Sequence, residues 1–178
     1  MRVDWFCRFR QVLNHLDPRP LPPSALAWVE RHLSPAEREL FLALRLSDQR
    51  HAVAAARLVA RKEELSLRER WVAVRAALLH DVGKGPVRPG LMVRMANVVW
   101  PGGPPRWLPA SLRERVNGLR NHPVRGAALL RKSRTDPAVV LLVRWHEAEG
   151  YPQEVPEELH ALLDLLRWAD SGSKGRRL

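Results

Sequence analysis

Seven histidines punctuate the chain, and three of them stand on apolar helical stripes. His51 has Ala54, Ala55, Leu58 and Val59 at i+3, i+4, i+7 and i+8. His80 has Ala77, Ala76, Ala73 and Val72 at the mirror-image offsets, and His146 has Val143, Leu142 and Val139 behind it. This periodicity points three imidazoles inward from three helices. Two acids accompany them: Asp81 directly follows His80, and Asp170 has Leu166, Leu163 and Leu162 at i−4, i−7 and i−8. One inward histidine is more often a satisfied core residue than a ligand. Buried imidazoles and carboxylates are costly unless paired or metal-bound, so four or five of them arriving from separate helices favour a divalent ion. Mixed nitrogen and oxygen ligation suits one or two ions of Fe, Mn, Zn, Ni or Co without choosing among them. Such ions would bring the pKa of a bound water toward neutrality.

His122 is more ambiguous. It opens a helix after Asn121, with Gly126, Leu129 and Leu130 on its side, and a surface cap and a site residue fit equally well. His15, His32 and His160 lack matching acids or inward stripes and are assigned no chemistry.

Helices must carry these groups, because Leu occurs 28 times, Ile never and Thr once, at Thr135. Strand-favouring residues are nearly confined to Val, which predicts an all-α protein. Ser34, Ser66 and Ser111 each precede a glutamate by three residues (Glu37, Glu69, Glu114), the spacing of a capping box. Asp136-Pro137 supplies another helix start. The spacing predicts helices over 24–33, 35–46, 48–62, 67–81, 90–99, 111–120, 122–132, 137–147 and 157–170. Ahead of these, Trp5, Phe9, Val12, Leu13 and Leu16 share one face. The organisation is therefore an N-terminal amphipathic helix and linker (1–20), a helical domain (21–170) with an insertion-like stretch over about 85–110, and a basic tail (171–178).

The chain has 178 residues and a formal net charge of +11, with 26 Arg against 4 Lys, so its surplus charge is permanent and suited to phosphates or carboxylates. A single cysteine, Cys7, excludes an internal disulfide and Cys-rich zinc modules. The longest aliphatic stretch, Ala138 to Val143, is far short of the roughly 20 residues that span a bilayer. No signal peptide is recognisable, and the sequence reads as a cytoplasmic protein.

The order His51, His80-Asp81, Asp170 resembles the HD superfamily of metal-dependent phosphohydrolases, and the stretch Ala76-Ala77-Leu78-Leu79-His80-Asp81-Val82-Gly83-Lys84 resembles its most recognisable segment. The likeness runs from about Ser47 to Arg177 and implies an HD-domain helical bundle. It implies that His51, His80, Asp81 and Asp170 hold a first metal, and that His122 and His146 hold a second bridged by Asp81. It also implies that Lys84 contacts a substrate phosphate; the alternative for Lys84 is a solvated residue in the Gly83–Gly85 turn. His122-Pro123 onward, with Trp145-His146-Glu147 and Gly150-Tyr151-Pro152, is similar to the HD-GYP cyclic di-GMP phosphodiesterases. These carry a second histidine at the Trp145 position and often a glutamate at the Ser47 position. Arg144-Trp145-His146 and Leu165-Leu166-Arg167-Trp168-Ala169-Asp170 resemble the HD-type diadenosine tetraphosphate hydrolases, which have Thr where Glu147 stands.

The leading expectation is a metal-dependent phosphohydrolase that cleaves a nucleotide phosphoester or phosphoanhydride, with Asp81 and Lys84 in catalysis and a phosphorylated small molecule as partner. The alternatives are a degenerate domain that senses a nucleotide or nucleic acid, and a scaffold with a structural metal.

Overall fold

A computed structural model describes residues 19–85, 90–100 and 102–173. The expected N-terminal helix and residues 174–178 of the expected tail lie outside the described residues, as do 86–89 and 101 of the 85–110 stretch. Among the described residues the protein is all-α, with no strand. The helices are α1 (Pro23–Glu30), α2 (Pro35–Leu42), α3 (Leu46–Ala60), α4 (Leu67–Leu79), α5 (Leu91–Val99), α6 (Ala110–Arg120), α7 (His122–Lys132), α8 (Pro137–Trp145) and α9 (His160–Ser173). Short 3-10 turns stand at Val82–Lys84 and Glu157–Leu159.

Local chemistry explains most of the boundaries. Ser34 and Ser66 each form a complete capping box, with Glu37 and Glu69 respectively. Asp136 caps α8 by accepting from the Ala138 amide at 2.9 Å. Ser111 does not cap, contrary to expectation. Pro109, with its extended backbone, takes the N-cap position, and its carbonyl already accepts the Leu112 and Arg113 amides at 3.0 Å. Ser111 is thereby drawn into the first turn of α6. The last helix also differs from its expected span, since 157–159 form a separate 3-10 turn and α9 continues to Ser173.

The main core lies where α3, α4, α8 and α9 pack together. The faces that meet between α3 and α4 are built largely from alanine: Ala52, Ala55 and Ala56 on one side, Ala73, Ala76 and Ala77 on the other. Small side chains permit close helix packing, while the larger Leu142 of α8 and Leu163 and Leu166 of α9 are fully buried in the same core. Burying each leucine contributes about 1.5–3 kcal/mol. Helices α5 and α6 form a smaller second cluster through Val93, Ala96, Val116 and Leu119, with Trp100 and Leu112 against it. No described helix is long and apolar enough to cross a membrane.

Candidate metal centre

Helix ends, rather than helix middles, supply most of the site. His80 is the C-cap of α4, and Asp81 follows it at the turn into the 3-10 segment. His146 is the C-cap of α8, and His122 opens α7 directly after the end of α6. His51 comes from the second turn of α3 and Asp170 from α9.

The three helix-end histidines are held by one repeated device. Their Nδ1 atoms lie 2.9, 2.8 and 2.9 Å from the carbonyls of Ala77, Leu119 and Val143, each three residues earlier. A carbonyl only accepts, so Nδ1 is the donor and Nε2 is directed at the centre. Each contact also satisfies a carbonyl in the last turn of a helix, where the regular ladder ends. The negative ends of the α4, α6 and α8 dipoles therefore converge on the site against the one positive end of α7 at His122, a balance that favours a cation.

The structure brings all six expected ligand residues together. His51 Nε2 lies 2.7 Å from Asp170 Oδ1, and His80 Nε2 lies 3.6 Å from that oxygen and 3.5 Å from Asp81 Oδ2. On the other side, Asp81 Oδ1 is 3.1 Å from His122 Nε2. The His80 and His146 rings stand edge to face at 5.2 Å, and those of His122 and His146 at 5.3 Å. Ligand atoms of His51, His80 and Asp81 lie within 4.8 Å of one another, and so do those of Asp81, His122 and His146. Asp81 belongs to both sets, so one carboxylate is common to the two candidate ligand groups.

The donors fit a metal by a further criterion. His80 Nε2 and His122 Nε2 are buried without a hydrogen-bond partner; the 3.1 Å approach of His122 to Asp81 lacks hydrogen-bond alignment. Buried polar atoms are rarely left unsatisfied, and a cation in each ligand set would satisfy the histidine nitrogen that belongs to it. Electrostatics agrees. Burial pushes the His80 pKa down, but the Asp81 and Asp170 carboxylates overcome it and the net shift is upward. Burial, reinforced by the neighbouring His80 and His122, holds His146 well below its usual value and keeps that imidazole neutral. Asp81 stays ionised, because His80, Lys84 and His122 outweigh the opposing effect of burial.

Lys84 Nζ donates to Asp81 Oδ2 at 2.6 Å. Burial lowers its proton affinity, yet Asp81 and the nearby Asp48 more than restore it. The turn that carries Lys84 can approach α7 only because residue 83 is glycine. A Cβ there would stand 2.0 Å from the His122 carbonyl oxygen and 2.7 Å from the Gly126 nitrogen.

Three contributors escape the sequence reading. Asp48, three residues before His51 on the same helix face, is buried and takes Arg94 of α5 on both oxygens, at 2.9 and 2.7 Å. Its spacing from His51 was a usable signal; its partner 46 residues away was not. Arg167 clamps the segment after α8, donating to the carbonyls of Ala148 at 2.6 Å, Gly150 at 2.8 Å, Trp145 at 3.3 Å and His146 at 3.4 Å. It ties the backbone around His146 to the helix that carries Asp170. Glu147 Oε1 lies 3.8 Å from His122 Nε2. The unassigned histidines lie in other contacts: His32 packs against Trp28 with its ring tilted and His160 stacks on Tyr151, while His15 is outside the described residues.

A family model described as HD domain matches residues 48–173. No curated protein and no solved structure matches the chain.

Proposed function

Because the chain belongs to the HD domain family, whose members are generally metal-dependent hydrolases, we propose that it hydrolyses a nucleotide phosphoester or phosphoanhydride at the centre built around Asp81. The carrying observation is the pair of buried, unpartnered Nε2 atoms of His80 and His122 on either side of one shared carboxylate. His51, His80, Asp81 and Asp170 would hold one divalent ion, and Asp81, His122 and His146 a second. When bound, such ions supply an activated water and neutralise charge on phosphoryl oxygens.

The remaining roles belong to the protein. The Nδ1 contacts keep three imidazoles in a fixed tautomer and orientation, so no reorganisation is needed as substrate charge develops. Lys84 uses one of its three donor hydrogens on Asp81. Its other donors are available to a phosphoryl oxygen, and its raised pKa keeps it charged. Val82, directly after Asp81, and Val143, one turn before His146, are buried. The arginine surplus raises the local concentration of an anionic substrate.

Elemental analysis of purified protein, combined with a hydrolysis screen of cyclic di-GMP, diadenosine tetraphosphate and simple nucleotides, tests this reading. It expects a transition metal and turnover of at least one compound. Absence of turnover with each plausible metal supplied overturns it, and tight nucleotide binding without turnover would instead identify a sensor.

A further inference from the structure

We propose that Glu147 is an additional protein ligand of the second ion, completing the donor set of Asp81, His122 and His146; this rests on the two-ion reading above. The first observation is placement. Glu147 Oε1 stands 3.8 Å from His122 Nε2. Donors about 2.0–2.2 Å from a common ion lie roughly 3–4 Å apart. The second observation is independent: His122 Nε2 is buried, its side chain only 3% exposed, and has no hydrogen-bond partner. A donor sealed from water and aimed toward a neighbouring carboxylate is what an intervening cation would satisfy.

The donor count points the same way. Asp81, His122 and His146 supply one ligand atom each, and Asp81 is shared with the first set. Two neutral imidazoles and half of a bridging carboxylate leave most of a divalent charge uncompensated. Four-coordinate zinc and six-coordinate manganese or iron all have room for a further oxygen. Glu147 is the neighbour able to provide it: its side chain is 53% exposed at the rim, and its backbone follows His146 directly in the segment held by Arg167. The present rotamer lies outside the mutual 4.8 Å set of Asp81, His122 and His146, so ligation requires a rotation that its exposure permits. A carboxylate attached in this way tightens the second ion and leaves the first unchanged.

Calorimetric titration of the full chain with Mn(II), paired with visible absorption of Co(II), tests the assignment in the wild type, Glu147→Gln and Glu147→Asp. The wild type is expected to take up two ions. In Glu147→Gln the Kd of the second step rises about tenfold or more and its Co(II) band changes, while the first step stays put; Glu147→Asp falls between. An exposed side chain leaves folding intact, and a thermal melt confirms this. Two unchanged binding steps and an unchanged spectrum in Glu147→Gln overturn the proposal, as does equal weakening of both steps. Fewer than two ions on the wild type overturns the two-ion reading itself, and the assignment with it.

Discussion

Glu37 and Asp81 are both carboxylates sealed from solvent, and both stay ionised because neighbouring cations and donors outweigh the effect of burial. Around Glu37 the bonding is closed. Oε1 accepts from Arg75 and, at 2.8 Å, from Thr135 Oγ1, while Oε2 accepts the Ser34 amide at 2.9 Å. One nitrogen of Arg75, Nε, is left over, a small deficit on a guanidinium with five donors. Around Asp81 the bonding is open: Lys84 takes one oxygen, and the nearest nitrogens of His80 and His122 are buried but unbonded. The closed network joins α2 to α4 and to the residue before the α8 cap, so it serves the fold. The open one has spare capacity for a ligand.

The sharpest way to break that distinction is to exchange the two carboxylates' consequences. Asp81→Asn keeps the side-chain volume and an acceptor for Lys84 but removes the charge shared by both ligand sets. Metal content and hydrolysis are expected to fall together to background, with circular dichroism unchanged. Retained metal in this variant would place the ions elsewhere.

Glu37→Ala should do the reverse. It strands Arg75, Thr135 and the Ser34 amide in a buried region, and breaking a buried pair in this way costs about 3–5 kcal/mol. Chemical denaturation is expected to register that loss, while metal bound per folded molecule remains at the wild-type value. A drop in metal content without a drop in stability would show that the two regions are not separable.

What was legible in the sequence follows from the range of the forces involved. Helix class and most spans depend on leucine and alanine periodicity and on caps within four residues, so Ser34, Ser66 and Asp136 could be read locally. Ser111 misled because Pro109 had already begun the helix. The inward stripes placed His51, His80, His146 and Asp170 on core faces, and the structure gathers them with His122 and Asp81 at one centre. His122 was ambiguous because its neighbours come from a different stretch of chain: the Gly83 turn that meets it has no local signature beyond the glycine itself. Asp48 with Arg94, Arg167 with its carbonyls, and Glu147 with His122 are encounters fixed by tertiary packing, which no periodicity encodes.

The smallest expected effect concerns how the closed cluster responds to acid. Burial alone would raise the Glu37 pKa; the bonds from Arg75, Ser34 and Thr135 more than reverse it, so the folded value lies below the usual 4.5. A depressed carboxylate pKa contributes stability that is fully present above the unfolded value and is lost as pH falls through the folded one. Glu37→Gln cannot titrate and places an amide donor against Arg75, so it is less stable than wild type at neutral pH. The difference in thermal midpoint between the two proteins should hold steady down to about pH 5 and narrow below about pH 4.5, as Glu37 of the unfolded wild type takes up a proton that the folded state still excludes. Comparing paired melts cancels the acid response of carboxylates common to both chains, including Glu69 and Asp136, whose pKa values are also lowered. A difference that stays constant down to pH 3 would mean that the charge of Glu37 contributes nothing beyond its shape, and the contrast with Asp81 would then rest on hydrogen bonding alone.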